Sequence, residues 1–305
     1  MSVNLENNSG NLRTNEELNV ASAQSWELFD SHAHLQDSAF TAEEIPEVLD
    51  RAFKAGITRV LLPASSLADT DAAAALARKH PGLYFSAGCH PHEAAEFNAE
   101  DLERLRAYLE PTHPDRKILL AIGEVGLDYH YDFSPRDTQK HVFEQQLELA
   151  FSADIPLIIH EREATSDALA ILRSFARAKR LRAVPGVFHC YSGSVETAQE
   201  LLALGFYLGF DGPITFKNAR KPLEVIKSCP PERLLIETDS PYLTPVPFRG
   251  KRNEPQHIRL IADKLAELLQ LSLPETAALT TANACCCFGL DSETAPRLRT
   301  TRTTI

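Results

Sequence analysis

The sequence predicts a single (β/α)8 TIM barrel of the metal-dependent hydrolase type, and three observations predict it. Eight short apolar runs recur along the chain with amphipathic segments between them. The runs are nearly all apolar rather than alternating, as parallel strands covered on both faces should be. Most of them lead into His, Glu or Asp, and the carboxyl ends of barrel strands are where such residues meet on one rim.

Taken in order, the predicted strands are 27–30, 58–63, 83–87, 118–122, 156–159, 186–188, 206–210 and 233–237. The first leads into Asp30-Ser31-His32-Ala33-His34-Leu35, and the third into Gly88-Cys89-His90-Pro91-His92. The fourth leads into Gly123-Glu124, the fifth into His160, the sixth into His189, and the eighth into Glu237-Thr238-Asp239. Gly56, Gly82 and Gly205 stand just before strands and suit the turns that enter them. Between strands, Asn98 caps a helix with Leu102, Leu105 and Leu109 on one face. Ser134-Pro135 opens another helix carrying Phe143, Leu147 and Ala150. A doubly wound open sheet would gather ligands at one switch point. Here they follow six different strands, which favours closure.

The chain of 305 residues, 44% hydrophobic and 24% charged, has the composition of a globular protein with a substantial core. Residues 25–290 are read as the barrel domain, 1–24 as a flexible polar leader and 291–305 as a flexible Thr/Arg-rich tail. The leader lacks the apolar segment of a signal peptide, and no run approaches the roughly 18 apolar residues of a membrane span. The expected compartment is the cytoplasm, with no membrane association. Six cysteines show no disulfide spacing. Cys285-Cys286-Cys287 lacks a Cys-x-x-Cys or His partner, and is read as the filling of a late helix. A net charge of −11 argues against a general electrostatic grip on nucleic acid, but not against local capture of phosphate.

His32-x-His34 puts two imidazoles on the same side of an extended segment. With Glu124, His160, His189 and Asp239 they make four imidazoles and two carboxylates, too many donors for one tetrahedral ion with an open position. Two divalent ions sharing a carboxylate suit the set, with Glu124, central in the order, as the bridge. Imidazole and carboxylate ligands fit Zn, Mn, Co or, less ideally, Mg.

The segments containing these residues resemble the TatD family of metal-dependent deoxyribonucleases, within the amidohydrolase-like barrels. The motifs that carry the resemblance are Asp30-Ser31-His32-Ala33-His34-Leu35, Gly88-Cys89-His90-Pro91-His92, Gly123-Glu124-Val125-Gly126-Leu127-Asp128-Tyr129, His160-Glu161-Arg162-Glu163-Ala164, His189-Cys190-Tyr191-Ser192-Gly193, Glu237-Thr238-Asp239-Ser240-Pro241-Tyr242-Leu243-Thr244-Pro245 and Arg249-Gly250-Lys251-Arg252-Asn253-Glu254-Pro255. The resemblance implies that His32, His34, Glu124 and Asp239 hold one ion, and Glu124, His160 and His189 the other. It also implies digestion from a 3′ end.

Asp239, beside the activated water, is the expected general base, and Glu124 the second catalytic carboxylate. His90, Arg162, Arg249, Lys251 and Arg252 are the expected phosphate contacts, with a structural salt bridge as the rival role for Arg162. His92 is read as facing the phosphate or as a structural strand-end residue; Asp128 and Tyr129 are read at the mouth, with packing as the alternative, and Tyr129 as a surface for a base. Glu237 is read as a support for the ligands. The expected substrate is DNA at single-stranded or frayed ends. The rival readings are a deacylase of aminoacyl-tRNA esters or another ester or amide hydrolase, and a non-catalytic scaffold. Oligomeric state is left open, a monomer included.

Overall fold

A computed structural model describes residues 26–291 and 293–298; the leader at 1–24 lies outside them. Eight strands, β1 (Leu28–Asp30), β2 (Ile57–Leu62), β3 (Leu83–Ala87), β4 (Leu119–Asp128), β5 (Leu157–Arg162), β6 (Gly186–Phe188), β7 (Tyr207–Phe210) and β8 (Leu234–Ile236), pair in sequence order. Every pairing is parallel. Helices α1 (Ile45–Lys54), α2 (Leu67–Lys79), α3 (Ala99–Leu109), α4 (Arg136–Ser152), α5 (Thr165–Arg177), α6 (Val195–Ala203), α7 (Arg220–Ser228) and α8 (Ile258–Leu269) connect or follow them. A last helix, α9 (Leu273–Phe288), packs against β1, β6 and β8.

Two apolar layers explain why the runs do not alternate. In β2, Val60 and Leu62 belong to the larger cluster shared with the helices, whereas Leu61 belongs to a separate inner cluster. That inner cluster takes Phe29, Tyr84, Leu120, Ile158, Val187, Tyr207 and Leu235 from the other strands. Both faces of the strands are therefore buried, as a filled barrel requires. Cys285, Cys287 and Phe288 of α9 join the same inner cluster, while Cys286 faces out. The cysteine triplet thus packs one end of the barrel.

β1 and β8 close the ring through bonds beyond the regular ladder. Ser31 N–H donates to Ile236 O at 3.3 Å, Asp239 N–H to His32 O at 2.8 Å and His34 N–H to Ser240 O at 2.7 Å. The motifs that carry the donors are therefore also the seam.

The described structure corrects two expectations of extent. β4 and β5 run past their predicted ends because Gly126 pairs with His160, and Asp128 with Arg162, in register. Glu124 and His160 consequently lie inside strands rather than after them. The tail read from 291 onward is in part packed: Leu298 is buried, its N–H donates to Thr58 O, and Tyr84 Oη donates to Pro296 O. Leu298, one of few apolar residues in a Thr/Arg-rich segment, was a faint signal for that docking. Among the described residues, no helix is long and apolar enough to cross a membrane.

Candidate metal centre

The strand ends are fixed by buried polar contacts before any donor is placed. Asp30 accepts from Thr238 N–H at 2.9 Å and Thr238 Oγ1 at 2.6 Å, tying the ends of β1 and β8 together. Burial pushes the Asp30 carboxyl up to about 7, against the pull of those hydrogen bonds. Asn253 Nδ2 donates to the carbonyls of Thr238 and Tyr242, each at 2.7 Å, and pins the turn that follows Asp239. That role of Asn253 was not read from the sequence, although its motif was noticed.

The six donors expected from the sequence are brought together, with the Glu124 carboxylate at their centre. Its Oε2 lies 3.4 Å from His32 Nε2 and 3.5 Å from His34 Nε2. Its Oε1 lies 2.8 Å from His189 Nε2 and 3.5 Å from His160 Nδ1. Asp239 Oδ1 stands 3.7 Å from His32 Nε2 and 3.4 Å from His34 Nε2. The two Glu124 oxygens thus face different histidine pairs. His90, expected at the phosphate with a structural strand-end role as the rival, also approaches Glu124 Oε1, at 3.8 Å, and groups with Glu124 and His160 as potential ligands.

These donors fit divalent ions by spacing and by charge. Ligands about 2.0–2.2 Å from a tetrahedral ion are separated from one another by roughly 3.3–3.6 Å. The separations of His32 and His34 from each other, from Glu124 and from Asp239, at 3.2–3.7 Å, are close to that edge. Burial opposes ionisation of Glu124, yet His189, His32 and His160 hold its carboxyl well below the usual range. Asp239 is likewise lowered, against burial, by His34 and His32. Burial alone would lower His34 and His160, but hydrogen bonds that the first donates to Asp239 and the second to Asp128 and Glu124 carry both up to about 9. His32, buried and beside His189, is pushed down to about 4. The cluster is negative enough to draw protons onto two imidazoles, and a bound cation would meet the same demand.

Support for the donors comes from two more carboxyls. Asp128 Oδ2 lies 3.0 Å from both His92 Nε2 and His160 Nε2, so that each ring N–H can donate to it. This leaves the lone pair of His160 Nδ1, beside Glu124, free to ligate an ion. Burial works against ionisation of Asp128, but His160, the Tyr131 N–H and His92 together hold it below the ordinary carboxylate range. Asp128, read at the mouth, is therefore placed to orient His160, and His92 shares its carboxylate. Glu237 accepts from Cys190 N–H at 2.6 Å and lies 3.7 Å from His189 Nδ1. Burial raises its carboxyl well above the usual range. Gly209 makes room for it, since a Cβ there would stand 2.5 Å from Glu237 Oε2.

Above the donors opens a cavity of about 560 Å³. Arg162 lines it and lies 4.8 Å over the Tyr131 ring, which stacks on Phe133 at 5.4 Å. Tyr131 and Phe133 are 50% and 67% exposed, an unusual outlay of aromatic surface. Asp37 and Asp69 line another part of the wall. Tyr129, read as a surface for a base or as a packing residue, takes the second role: it donates to Asp167 at 2.7 Å and carries Arg136 over its ring. The phosphate contact expected of Arg252 is also not met. Its guanidinium is tied to Glu44 and Glu254 and lies over Phe40. Arg249 and Lys251 stand outside this cavity, in an adjoining one.

Comparison with known proteins agrees with the site. The family described as TatD related DNase matches residues 29–289. A Bacillus subtilis protein described as the uncharacterized metal-dependent hydrolase YabD is 43% identical over 257 residues, covering 84% of this chain and 97% of its own. A Cronobacter turicensis protein named 3′-5′ ssDNA/RNA exonuclease TatD is 36% identical over 265 residues, covering 84% of this chain and 96% of its own. The crystal structure of YjjV, a TatD homologue from Escherichia coli, is similar with a TM-score of 0.79 and 30% identity, covering 87% of this chain and 98% of that one. From barrel, donors and relatives together it follows that the chain belongs to the TatD-related DNase family and is a metal-dependent hydrolase.

Proposed function

We propose that the enzyme removes nucleotides stepwise from the 3′ end of single-stranded DNA, with two divalent ions held around Glu124. The observation that carries this reading is the donor cluster at the base of a pit walled by Arg162 and an exposed aromatic pair. A pit admits a chain end more readily than the middle of a duplex. The exonuclease name of the Cronobacter relative supports the same reading.

In the proposed division of ligands, His32, His34, Glu124 and Asp239 hold one ion, and Glu124, His160 and His189 the other, with His90 close enough to assist. When bound, the ions supply Lewis acidity toward the phosphodiester and lower the pKa of water. The chain's own groups do the rest. Hydrolysis forms a bond from the water oxygen to phosphorus and breaks the bond to the 3′ oxygen of the preceding nucleotide. Asp239 is ionised, so its carboxylate can accept the water's proton. Arg162 is placed to hold a non-bridging oxygen while charge builds there. Tyr131 and Phe133 offer the terminal base a stacking face.

The test sets two substrates against each other with metal-loaded enzyme. Release of acid-soluble nucleotide from single-stranded DNA, without release of amino acid from aminoacyl-tRNA, supports the proposal. The opposite pattern would replace it with the deacylase.

A further inference from the structure

The pit above the metal centre continues sideways. Leu243 forms part of its wall and also part of the wall of a neighbouring cavity of about 430 Å³ that contains Phe216, Arg249 and Lys251. There the Arg249 guanidinium lies 4.0 Å over the Phe216 ring, and Lys251 Nζ lies 5.6 Å from the centre of the Phe248 ring. Among the described residues neither cation is in an ion pair, whereas Arg252 beside them is held by Glu44 and Glu254. Gly250, between the two, has open space where a Cβ would stand.

Two uncompensated cations side by side, in a chain of net charge −11, mark a place built for negative charge. Their aromatic backing adds flat surface on which a base can stack. Resting on the nuclease reading, we infer that this second cavity holds the nucleotides that precede the one being removed, with the strand crossing Leu243 between the two cavities. The occupant is single-stranded, because bases stacked within a duplex offer no free face to Phe216 and Arg249. The cavity then sets the dependence of the enzyme on substrate length, separately from the chemistry at Glu124.

The experiment measures kcat/KM for single-stranded oligodeoxynucleotides from dinucleotide to octanucleotide, taking the dinucleotide as internal reference. For wild type, the octanucleotide-to-dinucleotide ratio should be about tenfold or more, and the Arg249→Gln/Lys251→Gln variant should bring it toward one. With two phosphate contacts removed, the salt dependence for the octanucleotide should flatten by about 1.4 in its log–log slope. Phe216→Leu should lower the same ratio with less effect on the slope, and melting curves would establish that each variant is folded. An unchanged ratio in the folded double variant overturns the groove and leaves the nuclease reading standing. Failure of metal-loaded wild type to cut any oligonucleotide overturns the nuclease reading, and the groove with it.

Discussion

Replacing Asp128 with Asn should weaken metal binding without touching a ligand. In the native protein, Asp128 Oδ2 faces the Nε2 atoms of His92 and His160 at 3.0 Å, while Oδ1 accepts from the N–H groups of His130 and Tyr131 at 2.9 Å. An Asn side chain can supply only one acceptor oxygen. The two backbone N–H groups cannot change character, so they keep that oxygen and turn the amide NH2 toward the imidazoles. His160 then accepts at Nε2 and carries its proton on Nδ1, the atom that faces Glu124 and His189. Loss of such an orienting partner lowers metal affinity or activity by about 10–100-fold, equivalent to about 1.4–2.7 kcal/mol. Competitive titration of the metal-free protein against a chromophoric chelator reads the affinity directly. Activity should return when metal is raised in proportion. A variant whose affinity changes by less than about threefold would refute the argument that Asp128 fixes the His160 tautomer.

Three further changes probe the division of the ligands and the stability of the fold. Glu124→Ala should reduce occupancy of both ion positions by elemental analysis, whereas His34→Ala should mainly empty one, because the Glu124 oxygens face different histidine pairs. His257 is half-buried beside Asn253 and Glu254, and desolvation pushes it down to about 4. A lowered histidine contributes stability that is present above its unfolded value of 6.5 and lost as pH falls through about 4. Metal-free wild type should therefore lose on the order of 1–3 kcal/mol more than His257→Gln over that window, read from denaturant melts at matched pH; parallel loss in both proteins would contradict the assignment.

Much of this architecture was legible because a barrel strand buried on both faces writes itself as an unbroken apolar run. The donors were legible for a related reason: His32, His34, His189 and Asp239 follow the strand ends, where the topology gathers side chains. What escaped was set by partners distant in sequence. The extension of β4 to Asp128 depends on its pairing with β5. The roles of Asp128 and Asn253 depend on which groups lie within hydrogen-bond reach. Arg252 looked like its neighbours in the basic loop, and its structural place comes from Glu254 nearby and from Glu44 and Phe40 far upstream. Tyr129 and Tyr131 are likewise separated by the turn after β4, which sends one toward Asp167 and the other to the mouth.

The central claim is that the centre around Glu124 and Asp239 cleaves DNA from a free end. The measurement is digestion of end-labelled single-stranded DNA and of a covalently closed single-stranded circle, by wild type and Asp239→Ala, with and without chelator. The account predicts a ladder from the linear strand that shortens from its 3′ end, an intact circle, and no product from the variant or the chelated enzyme. Rapid cutting of the circle, or full activity without Asp239 or without metal, would contradict it.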